Sequence, residues 1–154
     1  MITTRDEADL SELVDTFVQG WNTGSGERLA RAFAVDADFT NVIGLRAHGR
    51  DLIARGHDEI LATVFRGTRL GAAINQIRGL RPDVAVVDVT LTLRGADGQP
   101  LAMFPAGQSS AGLVATRESG TWAIAVFRNM IPFTRPAAGP VERSLTVDPL
   151  VVAR

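Results

Sequence analysis

Apolar residues recur at helical spacing from the start of the chain. Leu10, Leu13, Val14, Phe17, Val18 and Trp21 fall on one face, which predicts an amphipathic first helix. Thr4 and Glu7 fit a capping box at its start, and Asp6 and Asp9 suit the positive end of its dipole. Gly24 and Gly26 end it, and Ser25 is placed to cap a short second helix with Leu29 and Phe33 turned inward. Over 36–43 the period switches to two. Phe39, Asn41 and Ile43 share one face of a strand, and Asp38, Thr40 and Val42 share the other. A loop through Gly44 and His48 leads to a third helix over 50–66. Ile53, Ile60, Leu61, Val64 and Phe65 stripe that helix, and Gly67 stops it.

The second half reads as antiparallel sheet, with strands expected over 72–81, 84–93, 108–117 and 121–130. Pro82-Asp83 marks a tight connection, and Asp97-Gly98 and Ser119-Gly120 are hairpin signals. The 94–107 connection, with Met103 and Phe104 between two prolines, has a length often found in functional lids. Pro136, Pro140 and Pro149 exclude a long helix after Pro132, and 147–152 could add an edge strand or reach a partner subunit. No repeat or linker divides the chain. The expected organisation is one cone-shaped domain over 1–133 and a Pro-rich tail, 134–154. Helices followed by strands indicate an α+β fold: three N-terminal helices on a strongly curved antiparallel sheet enclosing one pocket.

Composition narrows the chemistry. A length of 154 residues, 45% hydrophobic, fits one domain with a sizeable core. The absence of Cys excludes thiolate nucleophiles, disulfides and cysteine-bound metal. All sixteen basic residues are Arg, so a lysine Schiff base or pyridoxal phosphate site is impossible. Without Tyr, proton transfer falls to His48, His57, the carboxylates or bound water. A net charge of -1 gives no argument for nucleic acid or an anionic membrane surface. No apolar run is near spanning length and no signal-peptide pattern stands out, so a soluble cytoplasmic protein is expected. Two histidines without ligand spacing, and no Gly-rich loop after a strand, predict neither metal nor cofactor.

Several residues are candidates for a site. His57 interrupts the apolar stripe of the third helix from within. There it can act as a general base or ligand partner, or be a core histidine satisfied by a backbone carbonyl. Asn41, beside Phe39 on its strand face, can orient a ligand or cap the turn before Gly44. Arg128 and Asn129 close the last strand on opposite faces, and alternation does not decide which faces inward. Arg128 can bind a carboxylate or enolate oxygen, or form a surface ion pair. Trp21 and Trp122 can stack on a flat ligand or simply fill the core. Asp38 has the wrong parity for the Asn41 face. Asp88, the one mid-strand acid of the sheet, shares a face with Val86, Thr90 and Thr92 that suits solvent or a dimer surface.

The order of these segments resembles a known family. The carrying residues are Phe17-Val18-Gln19-Gly20-Trp21-Asn22-Thr23-Gly24, Phe33-Ala34-Val35-Asp36-Ala37-Asp38-Phe39, Gly44, Gly49-Arg50-Asp51-Leu52-Ile53 and Trp122-Ala123-Ile124. Together they are similar to the cystatin-like fold of nuclear transport factor 2, in its SnoaL-like and ketosteroid-isomerase-like branch. Gly49-Arg50 through Gly56-His57 and Leu80-Arg81-Pro82-Asp83-Val84-Ala85 resemble the SgcJ/EcaC-like group, found near enediyne and other secondary-metabolite genes. The resemblance implies a catalytic aspartate, a tyrosine and a protonated aspartate. Here those positions hold Asn41, Phe17 and a 109–116 strand without a carboxylate, which removes the dienolate mechanism. Where the SgcJ/EcaC-like group often reads His-Asn-Thr, this chain has Arg128-Asn129-Met130.

Three functions follow as expectations. The first is an enzyme acting on a small apolar metabolite, such as a polyketide intermediate, by isomerase-, cyclase- or hydrolase-like chemistry. His57 would be its catalytic residue, and Asn41, Phe17, Trp21, Phe39, Arg128 and Asn129 its binding residues. The second is a non-catalytic protein that carries such a ligand. The third is an interaction module that dimerises through the outer sheet face.

Overall fold

The computed structural model describes residues 1–101 and 107–132. The tail expected over 134–154, its apolar stretch 147–152, and 102–106 of the long connection lie outside the described residues. The elements run α1 (Thr4–Asn22), α2 (Gly26–Ala30), β1 (Phe33–Thr40), β2 (Arg46–His48), α3 (Arg50–Ala62), β3 (Arg69–Arg81), β4 (Val84–Arg94), β5 (Gln108–Glu118) and β6 (Thr121–Met130).

The α1 stripe is buried as its spacing requires, with Leu10, Val14, Phe17 and Trp21 all in the core. Its cap lies one residue earlier than the sequence suggests. Thr3, not Thr4, is the N-cap: its hydroxyl accepts from the Asp6 amide, and the Asp6 carboxylate accepts from the Thr3 amide. Asp6 also ties the helix to the sheet, accepting from the Trp122 indole N–H at 3.0 Å and the Arg117 guanidinium at 2.5 Å. At the other end Trp21 donates to the Thr68 hydroxyl at 3.0 Å. The Asn22 amide makes a reciprocal pair with the backbone of Leu70, at 2.9 and 2.8 Å. Trp21 and Asn22 thus tie α1 to the start of β3.

Ser25 caps α2 by accepting from the Arg28 amide, as expected. The backbone N–H of Gly26 donates to the Asp58 carboxylate at 2.6 Å, which seats α2 against α3. Phe33 is fully buried, but as the first residue of β1. Helix α3 ends at Ala62 rather than Arg66, and a run of turns carries the chain on to Gly67. Val64, expected on the buried stripe, is instead 67% exposed.

The six strands form one sheet in the order β2-β1-β6-β5-β4-β3. It is mixed rather than wholly antiparallel, because β1 runs parallel to β6. The helices do not all precede it, since β1 and β2 separate α2 from α3. Within β6 the register with β5 passes from Ile124 to Val126, leaving Ala125 as a one-residue bulge. The bulge moves the inward face from the even positions Trp122 and Ile124 to the odd positions Phe127 and Asn129. The Ser119-Gly120 hairpin has both turn residues at positive φ, 50° and 85°, as a primed turn requires. Gly98 closes a turn on Gly95, and Arg94 bridges to Pro100. Among the described residues no helix is long and apolar enough to cross a membrane.

Candidate functional site

A cavity of about 550 Å³ lies between α1, α3 and the inner sheet face. Its walls are mainly apolar: Phe17 and Trp21 from α1, Phe39 from β1, Ile53 and Ile60 from α3, Leu91 and Leu93 from β4. Four polar side chains interrupt them: His57, Asn129, Ser109 and, near the mouth, Asn41. Arg46 and Glu59, both exposed, are the charged residues on the wall.

His57 stands where the helical spacing predicts, 5% exposed on the inner side of α3. Its Nδ1–H donates to the Ile53 carbonyl at 2.8 Å. A carbonyl can only accept, so this bond fixes the tautomer and leaves Nε2 as a bare lone pair. Three rings surround the imidazole edge-on: Phe39 at 5.0 Å, Phe17 at 6.0 Å and Trp21 at 6.2 Å between centroids. Burial pushes its pKa below the ordinary 6.5, against the smaller opposing effects of the Ile53 carbonyl and Asp58. His57 is therefore neutral at pH 7 and suited to accept a proton or hydrogen bond. The backbone-carbonyl partner of the core reading is present on Nδ1, and the residue also lines the cavity.

Phe17, Phe127 and Phe39 form a stack, with Phe127 between its partners at 5.1 and 4.9 Å. Phe17 has no hydroxyl and the Asn41 amide does not titrate, so neither can act as an acid or a base. Asn41 follows β1 rather than lying within it. Its side-chain oxygen accepts from the amides of Ile43 and Leu45, at 3.0 and 2.9 Å, and holds the β1–β2 turn around Gly44. That oxygen is used by the fold, as in the turn-capping reading. Ile43, expected on the inner face, is 71% exposed in this turn.

The bulge at Ala125 settles the faces of the last strand. Asn129 lines the cavity, and its Oδ1 is buried without a hydrogen-bond partner. Arg128 points to the outer face, is exposed, and donates to the carbonyls of Asp38 and Phe127. Arg128 is thus not part of the cavity wall. Trp21 lines the wall, with its N–H spent on Thr68. Trp122 belongs to the core at the far end of the sheet. His48 is exposed, bonded through Nδ1 to Asp38 at 2.9 Å outside the cavity. The hydrogen bond from His48 is the main cause holding the Asp38 carboxyl below its ordinary pKa.

Sequence reasoning missed Ser109 and the aliphatic wall of β4. Strict alternation of buried positions along β4, from Ala85 to Leu93, was the signal available for the wall. Asp88 is exposed on the outer face, away from the cavity. Among the described residues no group of three His, Asp or Glu side chains is placed to hold a metal ion.

A mixed, curved sheet folded over a long helix, with the cavity between them, defines the cystatin-like, nuclear-transport-factor-2-like class of fold. Comparison with solved structures gives the same class. A domain of unknown function with a cystatin-like fold from Nostoc punctiforme PCC 73102 superposes with a TM-score of 0.80, at 25% identity over 98% of this chain and 97% of that one. An NTF-2 like protein of unknown function from Shewanella oneidensis MR-1 gives 0.67, at 15% identity over 81% and 98%. A ketosteroid isomerase-like protein from Erwinia carotovora atroseptica SCRI1043 gives 0.63, at 13% identity over 83% and 97%. No protein-family model matches the sequence, and no curated protein matches it.

Proposed function

We propose that this chain binds a small, largely apolar metabolite in its cavity, in the manner of a pocket protein of polyketide or enediyne pathways. The observation that carries this reading is the 550 Å³ apolar cavity with the bare Nε2 of His57 in its wall. The resemblance to SnoaL-like and SgcJ/EcaC-like sequences supports the pathway. The loss of all three isomerase acids moves the chemistry away from dienolate formation. In this reading residues 1–133 form the working unit, in the cytoplasm, without cofactor, nucleic acid or membrane. Its enzymatic form makes Nε2 a general base; its carrier form makes the same atom a hydrogen-bond acceptor.

Gly56 offers a clean test. It lines the cavity from α3, and a Cβ built there meets nothing within 4 Å. The wild-type chain is expected to bind a neutral aromatic probe, 2-methoxynaphthalene, saturably by calorimetry, with a rise in Tm. Gly56→Trp fills the entrance and should abolish both effects while the protein stays folded. A wild-type chain that binds neither this ether nor 2-naphthol nor 2-naphthoate saturably overturns the reading. His57→Leu separates the two forms once a substrate is at hand: conversion disappears in the enzymatic form, whereas the carrier form has none to lose.

A second reading, self-association through the outer sheet face, rests on the strand register. Val86, Val114 and Val126 form a row across β4, β5 and β6, all half-buried and facing away from the helices. In the next row Gly112 lies between Asp88 and Arg128. A two-fold axis along β5 sets each Asp88 against the partner subunit's Arg128. The face is thus self-complementary in charge as well as apolar, as an isologous dimer requires.

A further inference from the structure

Resting on the cavity reading above, we propose that the ligand is neutral, and that one end of it donates hydrogen bonds to His57 Nε2 and Asn129 Oδ1. Two acceptors of the inner wall have no donor. His57 Nε2 carries no proton, because Nδ1 holds it against Ile53. Asn129 Oδ1 is buried with no partner, a cost that a bound donor removes. The two lie on adjoining walls. Phe39 packs against His57 on one side and stacks on Phe127 on the other, and Asn129 follows Phe127 two positions along the same face. Ser109 lies on the neighbouring strand, diagonal to Asn129 across the Ala111–Asn129 pair, with a hydroxyl able to extend the polar patch.

Charge decides what the ligand cannot be. Arg46 and Glu59, the charged side chains of the wall, are exposed at the mouth, and Arg128 is on the opposite face of the sheet. A carboxylate carried to the His57–Asn129 end would meet the His57 Nε2 lone pair and no cation, with only the neutral donors of Asn129 Nδ2 and the Ser109 hydroxyl to replace its hydration. A hydroxyl or N–H there gains two bonds.

The experiment compares 2-naphthol, 2-methoxynaphthalene and 2-naphthoate by calorimetry on the full chain at neutral pH. They share one ring system and differ in offering a donor, an acceptor or an anion. The proposal expects 2-naphthol to bind at least about tenfold more tightly than the methyl ether, and 2-naphthoate not to bind. Asn129→Leu should bring the naphthol-to-ether ratio down towards one. Equal affinities for naphthol and ether in the wild type, or binding of naphthoate as tight as that of naphthol, overturns the proposal while leaving the cavity reading standing. If none of the three binds, the cavity reading falls and takes this one with it. Should Asn129→Leu fail to fold, the wild-type series decides alone.

Discussion

His57 couples the site to stability as well as to ligand. Its pKa is below the ordinary 6.5 in the folded chain, chiefly through burial. The folded state therefore binds this proton more weakly than the unfolded state does. Its contribution is complete above about pH 6.5 and is lost as pH falls below that value. The urea midpoint should accordingly decline between about pH 7 and about pH 5. His57→Leu should flatten that part of the profile, and an unchanged slope in the variant would contradict the assignment. Asp6 titrates elsewhere. The Thr3 backbone N–H, then the Trp122 indole, hold its carboxyl at about 2, so its contribution is lost only below about pH 4. The position of His57 was legible because a helical stripe keeps its phase for several turns. The partner of its Nδ1 was not, since any carbonyl or carboxylate within reach would have served.

Between elements, glycines decide how closely the helices approach. A Cβ on Gly26 would strike the Ala54 carbonyl of α3 and the Asp58 amide, both backbone atoms that cannot yield alone. A Cβ on Gly20 would strike the backbone of Leu29. Gly56, on the open side of α3, meets nothing. Gly26→Ala should therefore cost roughly 2–4 kcal/mol, whereas Gly56→Ala should stabilise by about 0.5–1 kcal/mol through helix propensity. Chemical denaturation of the two variants checks the contrast. Comparable effects would mean that the α2–α3 contact is looser than described. Strand periods made β4 and β6 readable almost to the residue. They failed at Arg128 and Asn129, because one extra residue at Ala125 reverses the face of everything beyond it. Three-residue β2 carries too little alternation to be seen at all. It exists because Asn41 holds the turn that folds it back on β1.

For the molecule as a whole, the outer sheet face separates a dimer from a monomer. Val114→Arg places a charge at the centre of the valine row, where the side chain is already half-buried and no described element covers it. Sedimentation velocity should show a wild-type dimer converted to a folded monomer. A wild-type monomer at micromolar concentration would remove the second reading and leave ligand binding untouched. The architecture was legible as a helix-and-sheet order, but not its mixed sheet, because pairing between β1 and β6 joins segments far apart in sequence and leaves no local pattern. That pairing also sets a schedule. Phe33 meets Ile124 and Thr40 meets Arg128, so the β1–β2 hairpin has no sheet to join until β6 exists, whereas α1 can already reach β3 through Trp21 and Asn22. Loop closure over that span is the slowest contact to form. During synthesis, the β1–β2 hairpin must therefore wait unpaired, with Phe33 and Phe39 outside any sheet, until β6 has left the ribosome, which makes that hairpin the segment most open to aggregation in the meantime.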